Sequence, residues 1–316
     1  MSFWWVERPP LWTLALAPLE LAYRAGAAVH RASVRQVRAR ARVISVGNLT
    51  AGGAGKTPVA IHLGLRLASR GLRPAILSRG YGRRTRASMQ VSPESLVGEV
   101  GDEPLLMARR GLTVFVGPRR ALLADMAVQR GADVLILDDG LQHHALARDL
   151  DIVVADASNP FGNGHLLPRG PLRELPAALR RVRRGLLWLT RCDLPRDPRT
   201  ASLPAWPAVE SAYAAQADLH GRRVFLFAGI ARPASFEATV RGLGADVAGT
   251  RWFRDHHRYS AHDLSALRGE AGGATLVTTE KDLVRIDEPH GIVSVPVEVR
   301  ILHGEDALDA ALGTVL

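Results

Sequence analysis

The residues that most clearly indicate a chemical function lie in a glycine-rich stretch between two apolar segments. Residues 43–58 read VISVGNLTAGGAGKTP, so a short apolar run leads into a loop of small residues that ends in Lys56-Thr57. Such a loop lets backbone amides point into one concavity, and the start of the following helix adds partial positive charge. We expect Lys56 to reach the β- and γ-phosphates of a nucleotide and the Thr57 hydroxyl to bind Mg²⁺.

The loop departs from the general phosphate-loop pattern at one position, because Thr50 stands where a glycine is usual. The alternative interpretation is a glycine-rich turn with a chance Gly-Lys-Thr. The flanking elements favour the phosphate site, since Val43–Val46 predicts a buried strand and the apolar residues of Val59–Leu67 predict a helix. A variant loop known from partitioning ATPases is disfavoured, because Ala51 stands where that variant has a lysine.

Carboxylates follow a second apolar run. Val134–Leu137 predicts a buried strand, and Asp138-Asp139 come directly after it. A strand of this kind delivers a carboxylate to the Mg²⁺ opposite a phosphate loop, and an ordinary turn explains two adjacent acids less well. Asp102, in the sequence Gly-Asp-Glu-Pro, fits either a helix cap or a carboxylate placed at the same edge of the sheet.

Four other polar segments are candidates for ligand contact. The loop 78–84 fits a phosphorylated or sugar-bearing ligand and a solvated turn equally well, whereas 161–174, rich in Gly, Pro and Arg, is typical of a lid or binding loop. Residues 278–282, and more weakly 190–193, are candidates for contact with a nucleotide base. The double histidine at 256–257 has no third and fourth ligand spaced for zinc, so a proton-sharing role competes with an ordinary solvated histidine.

The elements that must position these residues alternate between short apolar runs and helical patterns. This alternation predicts an α/β fold of the P-loop NTPase type, with a mostly parallel sheet flanked by helices and ligands at the carboxyl ends of its strands. We predict an N-terminal segment (1–40), a P-loop core domain (41–220) and a smaller α/β lobe (221–316), and leave open a return of the last residues to the core. The apolar runs are Val43–Val46, Pro74–Leu77, Thr113–Val116, Val134–Leu137, Ile152–Ala155, Leu186–Leu189, Val224–Phe227 and Val293–Ile301.

Composition restricts the class of partner. The 316 residues are 47% hydrophobic and 23% charged, as in folded soluble proteins. A formal charge of +10 favours an anionic partner, either nucleic acid, anionic lipid or a phosphate-bearing substrate. We expect no nucleic-acid partner, because aromatic residues do not interleave with a basic face beyond the N-terminus. A single cysteine, Cys192, excludes an intrachain disulfide and a cysteine-rich zinc site, and it fits a reducing compartment.

The first forty residues have a composition of their own. Trp4, Trp5 and Trp12 stand among several leucines, and an arginine-rich stretch follows. Prolines interrupt the apolar run, which is shorter than the roughly 18 residues of a membrane-spanning helix, and the start lacks the basic region of a signal peptide. We expect an amphipathic helix that lies in a membrane interface, with a helix packed on its own domain as the alternative.

Seven motifs occur in order along the chain: GNLTAGGAGKTP, SRGYGRR, GDEP, DDGLQHH, LLPRGPLRE, FRDHHRYS and TTEKD. Together they resemble the tetraacyldisaccharide 4'-kinase family, the lipid A 4'-kinases of Gram-negative bacteria, over nearly the whole chain. Thr50, which breaks the general phosphate-loop pattern, is normal for this family.

The resemblance implies transfer of the γ-phosphate of ATP to the 4'-hydroxyl of a tetraacyldisaccharide 1-phosphate, at the inner leaflet of the cytoplasmic membrane. We expect ATP and Mg²⁺ as cofactors and a monomeric protein. By the same resemblance Asp102 is the base with His256 as its partner, and Asp139 stands beside the metal ligands Thr57 and Asp138. The triphosphate is implied to lie on Thr50, Ala51, Gly52, Gly53, Ala54, Gly55, Lys56 and Thr57.

Further roles follow from the resemblance alone. Residues near the substrate or lid are Tyr81, Arg119, Arg173 and Glu174, and those on the adenine side are Glu280, Lys281 and Asp282. The chain departs from the family at the GPRR sequence around Arg119 and at Arg169, and His257 competes with His256 for the role beside Asp102. The competing function is a membrane-associated P-loop ATPase or GTPase that acts as a switch, which would need neither Asp102 nor His256.

Overall fold

Two sheets organise the computed structural model, which describes residues 2–230 and 233–316. The larger sheet has nine strands within these ranges and the smaller sheet has four. In chain order the strands are β1 (Arg42–Gly47), β2 (Pro74–Ser78), β3 (Met89–Val91), β4 (Thr113–Val116), β5 (Val134–Asp138), β6 (Leu150–Asp156), β7 (Gly185–Thr190), β8 (Ala208–Ala215), β9 (Arg223–Ala228), β10 (Asp246–Trp252), β11 (Thr275–Thr279), β12 (Ile292–Val295) and β13 (Val297–His303).

Most strand pairs are parallel. The larger sheet has the order β13-β8-β7-β6-β1-β5-β2-β4-β3, in which only the terminal strands β13 and β3 run antiparallel to their neighbours. The smaller sheet has the order β10-β9-β11-β12 and is parallel throughout. The predicted α/β fold with a mostly parallel sheet is confirmed.

Helices supply most of the crossovers that parallel strands require. They are α1 (Ala17–Ser33), α2 (Lys56–Ser69), α3 (Val97–Val100), α4 (Asp102–Arg109), α5 (Arg120–Gln129), α6 (Pro233–Gly242), α7 (Ala261–Ala271), α8 (Glu280–Leu283) and α9 (Glu305–Gly313). Short 3-10 turns lie at Ser2–Trp4, Leu11–Leu16, Pro176–Arg181 and Pro198–Ser202.

The centre of the larger sheet places the two chemically richest loops side by side. Strand β1 lies between β5 and β6, and Val46 is in register with Asp138. Every residue of β5 is buried, as its continuous apolar run predicts for a central strand. Because β1 and β5 are parallel, the loop before α2 and the Asp138-Asp139 pair emerge at the same edge.

The run Val293–Ile301 is a correction to the sequence analysis, because it forms two strands in different sheets. Strand β12 belongs to the smaller sheet, whereas β13 pairs antiparallel with β8 in the larger one. Pro296 separates them and has no N–H to contribute to a ladder, while its carbonyl accepts a hydrogen bond from the Gln216 amide at 3.2 Å. Strand β13 and the helix α9 after it therefore return to the larger sheet.

The N-terminal segment is described from Ser2 onward, and its helix α1 has two distinct sides. One side meets the loop 161–174: Glu20 accepts from the Leu166 amide at 2.8 Å, and the Tyr23 hydroxyl donates to the Arg173 carbonyl at 3.2 Å. Among the described residues, no helix combines the length and apolar character needed to cross a membrane. The exposed apolar side chains of the segment include Leu11, Trp12, Leu14, Leu19, Leu21 and Val29.

Gly47, the last residue of β1, provides a test of the close approach between β1 and the loop after β5. A Cβ at this position would lie 2.5 Å from the Leu141 backbone nitrogen and 2.6 Å from its Cβ. We expect Gly47→Ala to lower the free energy of unfolding by about 1–3 kcal/mol, because a backbone neighbour cannot rotate away. Urea unfolding measures the change.

Gly26→Ala in helix α1 is the matched control, because a Cβ added to Gly26 would have nothing within 4 Å. This substitution should leave stability unchanged or raise it by up to about 1 kcal/mol, as alanine favours helix. Equal unfolding midpoints for the two variants would contradict the close approach.

Candidate active site

The loop between β1 and α2 has the backbone that the sequence predicts for phosphate binding. Gly52, Gly53 and Gly55 have φ of 84°, 64° and 80°, in the left-handed region that glycine adopts without strain. Gly55 immediately precedes α2, where the free N–H groups of the first turn favour an anion. The predicted residues Thr50 to Thr57 therefore form one continuous turn onto a helix.

Lys56 is held at the mouth of this loop by two side chains. Its Nζ donates to Asn48 Oδ1 at 2.7 Å and lies 3.3 Å from Asp139 Oδ1. Asn48 is buried, and its Nδ2 donates to Thr50 Oγ1 at 2.9 Å. The threonine that breaks the general pattern thus fixes the amide that orients Lys56, and sequence reasoning did not identify Asn48.

The two adjacent carboxylates have different environments. Asp138 is 4% exposed and accepts from the Ser78 hydroxyl at 2.8 Å, and burial, together with the negative charges of Glu103 and Asp139, raises its pKa. Asp139 has a φ of 54° and pairs with Arg173 at 2.5 Å. Burial opposes its charge, but Lys56 and Arg173 outweigh burial and lower the pKa of Asp139 to about 2.

A second polar group joins Asp102 to His256 across 154 positions of sequence. His256 Nδ1 lies 2.9 Å from Asp102 Oδ2, and His256 has a φ of 60°. Burial disfavours the charged carboxylate, but the hydrogen bond from His256 and the positive charges of Lys281 and Arg285 hold the pKa of Asp102 well below its usual range. The structure brings His256 and not His257 to Asp102, because His257 Nε2 lies 3.2 Å from Asp263 Oδ2.

Asp102 lies at the same edge of the sheet as the phosphate loop. Ser78, which binds Asp138, ends strand β2, and the chain then passes Gly80 and Tyr81. A Cβ on Gly101 would lie 2.9 Å from the Tyr81 carbonyl and 3.2 Å from Gly80. The loop after β2 therefore contacts the residue before Asp102, and this contact links the two polar groups.

The other predicted substrate residues have mixed environments. Tyr81 is 72% exposed, and its ring centre lies 5.5 Å from that of His256. Glu174 is 9% exposed and pairs with Arg181 at 2.7 Å. Arg119 is exposed at the start of α5, whereas its neighbour Arg120 is 4% exposed.

Arg120 is a residue that sequence reasoning missed. Its Nη1 donates to the Gly117 carbonyl at 3.1 Å and its Nη2 to the Asp138 carbonyl at 3.4 Å. The buried guanidinium therefore reaches the strand end that carries the acid pair. The GPRR sequence contains two adjacent arginines. Which of them is buried depends on the orientation of the helix, which the sequence alone does not show.

The predicted base contacts at 280–282 bind to other parts of the protein in this structure. Glu280 pairs with Arg110 at 2.7 Å, and Lys281 pairs with Glu103 at 2.9 Å. Asp282 has no exposed surface and accepts from the Gly229 amide at 3.0 Å. Glu280 and Lys281 thus join the start of α8 to both ends of helix α4. Contact of residues 280–282 with a nucleotide base stays a prediction.

A phosphate loop between β1 and α2, with carboxylates at the end of the adjacent parallel strand, defines the class of P-loop proteins. The family model described as LpxK: Tetraacyldisaccharide-1-P 4'-kinase matches residues 12–316. The chain belongs to the tetraacyldisaccharide 4'-kinase family, as its seven motifs predict.

Individual relatives agree with this assignment. A tetraacyldisaccharide 4'-kinase of Anaeromyxobacter dehalogenans (strain 2CP-C) is 49% identical over 98% of this chain and 94% of its own length. One from Methylobacterium sp. (strain 4-46) is 42% identical over 97% of this chain and 94% of its own. The crystal structure of the "apo" form of LpxK from Aquifex aeolicus in complex with ATP superposes with a TM-score of 0.81 at 26% identity, and the match covers 96% of this chain and 99% of that one.

Arg148 supports the loop that carries Asp139, and sequence reasoning missed it. Its Nη1 donates to the carbonyls of Gly140 and Leu141 at 3.0 and 2.9 Å, and its Nε lies 3.3 Å from Asp151. We expect Arg148→Met to lower the free energy of unfolding by about 2–4 kcal/mol, since two carbonyls lose their donor and a buried carboxylate loses its ion-pair partner. Urea unfolding measures this loss.

The control is Arg38→Met, because Arg38 pairs with Asp149 at 3.2 Å but its side chain is 71% exposed. This variant should stay within about 1 kcal/mol of the parent protein, as surface ion pairs contribute little. A loss for Arg148→Met no larger than that of the control would show that the loop does not depend on Arg148.

Proposed function

We propose that this protein transfers the γ-phosphate of ATP to the 4'-hydroxyl of a tetraacyldisaccharide 1-phosphate in lipid A biosynthesis. The observation that carries the proposal is the presence of two polar groups at one sheet edge, Lys56 with Asp139 and Asp102 with His256. The first suits binding of a triphosphate, and the second suits activation of a hydroxyl. A nucleotide-hydrolysing switch would need only the first.

The phosphate loop and Lys56 bind and orient the triphosphate. Phosphoryl transfer depends mainly on positioning and on neutralisation of charge. The amides of Gly52, Gly53 and Gly55 supply neutral donors, and Lys56 supplies one positive charge whose place is set by Asn48 and Asp139. Arg173 pairs with the other oxygen of Asp139, so the negative charge of this carboxylate is shared between two cations. Lys56 therefore keeps part of its positive charge for the phosphates.

The residues near the phosphate loop also fit Mg²⁺. Within residues 2–230 and 233–316, no group of three or more His, Cys, Asp or Glu side chains forms a self-contained metal site. Mg²⁺ usually binds through one or two protein oxygens together with phosphates and water, and Thr57 and Asp138 would hold it here. Burial raises the pKa of Asp138, and a bound cation would stabilise its charged form. The chemistry supplied by a bound Mg²⁺ is neutralisation of phosphate charge.

The Asp102–His256 pair takes the proton of the attacking hydroxyl in this proposal. In this proposal Tyr81, beside His256, and Arg173 and Glu174, on the loop next to Asp139, orient the acceptor sugar. The buried Arg120 donates a hydrogen bond to the Asp138 carbonyl and so stabilises this strand end.

The N-terminal segment brings the enzyme to its substrate. A disaccharide with several acyl chains stays in the bilayer, so the kinase has to work at the membrane surface. The exposed apolar side chains of residues 11–29 and the arginines that follow fit the inner leaflet of the cytoplasmic membrane. The opposite side of α1 contacts the loop of Arg173 and Glu174, which connects the membrane-facing segment to the site.

Substitution of the catalytic pair tests the chemistry. We expect Asp102→Ala and His256→Ala each to reduce transfer of radiolabelled γ-phosphate to a disaccharide 1-phosphate in mixed micelles by roughly 10²- to 10⁴-fold, because proton abstraction is lost. Binding of ATP should stay within about threefold, since neither residue touches the phosphate loop.

His257→Ala is the matched control, because His257 is adjacent in sequence but pairs with Asp263. It should retain most of the transfer activity. Full activity in both Asp102→Ala and His256→Ala would overturn the proposed chemistry, and failure of the parent protein to label the disaccharide would overturn the proposed function.

Charge introduced on the apolar side of the N-terminal segment tests the membrane role. Leu14, Leu21 and Val29 are 55%, 64% and 70% exposed, so their joint replacement by Glu should not disturb the core. We expect this variant to lose binding to vesicles that contain anionic phospholipid, because both apolar burial and electrostatic attraction decrease. Vesicle co-sedimentation of the full chain gives the readout.

The control places one glutamate on an unrelated surface, in Leu96→Glu, where the side chain is 65% exposed. This variant should co-sediment with vesicles like the parent protein. Undiminished vesicle binding of the triple variant would refute the interfacial role of the segment.

A further inference from the structure

Arg285 is a buried arginine that joins the smaller sheet's elements to Asp102. It follows helix α8, and its side chain is 2% exposed. Its Nε donates to Asp102 Oδ2 at 3.0 Å, and its Nη2 also contacts that oxygen. Its Nη1 donates to Asp282 Oδ1 at 3.0 Å and to the Gly229 carbonyl at 3.1 Å.

Asp282 fixes the guanidinium from the other side. Besides Arg285, it accepts from the Tyr259 hydroxyl at 2.9 Å and the Thr279 hydroxyl at 2.6 Å. A buried ion pair is stable when further hydrogen bonds satisfy its charged groups, as they do here. The contacts form a continuous chain from Tyr259 through Asp282 and Arg285 to Asp102 and His256.

Both oxygens of Asp102 are occupied by donors. Oδ1 accepts from the Glu103 amide at 3.0 Å, and Oδ2 accepts from Arg285 and from His256 Nδ1. A carboxylate with this many donors is a poor proton acceptor. If His256 Nδ1 donates to Asp102, the free lone pair of the imidazole is on Nε2.

His256 Nε2 has room to accept a proton. The side chain is 35% exposed, and Nε2 lies 3.9 Å from Asp255 Oδ1, beyond hydrogen-bond distance. The Tyr81 ring lies beside it. The arrangement is that of a histidine base whose imidazole is oriented by a fixed carboxylate.

We propose that Arg285 is a positioning residue for phosphoryl transfer, which holds Asp102 as a charged anchor so that His256 Nε2 accepts the proton of the attacking hydroxyl. The inference rests on the proposed kinase function. The hydroxyl O–H bond breaks and its proton moves to Nε2, while the oxygen forms a bond to the γ-phosphorus. The bond between that phosphorus and the bridging oxygen breaks, ADP leaves, and the imidazolium returns its proton to water.

Arg285 also lies close to the imidazole of His256. The groups that face His256 are Asp102 at 2.9 Å, Asp255 at 3.9 Å, Arg285 Nη2 at 3.3 Å from Nδ1, and the Tyr81 ring. Lys281 adds positive charge on the side of Asp102. Arg285 therefore contacts both members of the Asp102–His256 pair.

The test compares Arg285→Met and Arg285→Lys with the parent protein. We expect Arg285→Met to lower kcat by at least about tenfold, because the histidine base loses its fixed orientation. The KM for ATP should stay within about threefold, and Arg285→Lys should recover part of kcat because it keeps one charge. Thermal unfolding sets an assay temperature at which both variants are folded.

Arg110→Met is the control for a merely structural role. Arg110 also pairs an element of the larger sheet with α8, at 2.7 Å from Glu280, but it does not contact Asp102. It should retain most of the parent kcat. The same loss of kcat in Arg110→Met and Arg285→Met would overturn the inference and leave the proposed function standing.

Two further measurements make the test specific. In an Asp102→Asn background, Arg285→Met should cause no further loss of transfer, whereas an independent folding defect would add to the loss. Nitrogen-15 spectra of the imidazole should show the proton of neutral His256 on Nδ1, and a proton on Nε2 would overturn the assignment. Inactivity of the parent protein would instead count against the proposed function.

Discussion

The pairing of Asp139 with two cations is the interaction on which the site depends. One oxygen lies 3.3 Å from Lys56 and the other 2.5 Å from Arg173. Three segments meet at this carboxylate, namely the phosphate loop, the turn after β5 and the loop 161–174. Asp139 adopts a left-handed conformation that is uncommon for residues other than glycine, and the surrounding contacts hold it there.

The sheet supplies the constraint that brings these segments together. Parallel strands place all their carboxyl ends at one edge, so a loop after β1, an acid pair after β5 and a polar loop after β2 must be neighbours. The contact of Gly47 with Leu141 shows how closely the first two approach. Asp102 begins helix α4, which packs on the larger sheet, whereas His256 follows β10 of the smaller sheet, so the assembly of this pair depends on both sheets.

The sequence predicts the parts of the site whose signal is local. A buried apolar run followed by glycines and Lys-Thr, or by two aspartates, predicts both a strand and the functional residues at its end. These strands are found within one or two residues of their predicted positions. The apolar run Val293–Ile301 gave no sign of its division between two sheets, because the apolar pattern continues through Pro296, which separates the two strands. Strands β8 and β10 carry mixed polar and small residues and gave no such signal.

Arginine contacts could not be predicted in the same way. The chain contains 41 lysine and arginine residues, so a single arginine carries little information about its surroundings. Arg120, Arg148 and Arg285 are distinguished only by burial and by partners, and Arg285 meets Asp102 across 183 positions. Contacts of that kind depend on how two sheets are placed, which short-range periodicity does not encode.

The seam between helix α4 and helix α8 contains two kinds of ion pair that respond differently to salt. The pairs Glu280–Arg110 and Lys281–Glu103 have side chains that are all between 20% and 32% exposed. Water and dissolved ions can solvate these groups, so added salt weakens both pairs. The Arg285–Asp102 pair is only 2% and 5% exposed, so it keeps the chain after α8 bound to α4 when the outer pairs are screened.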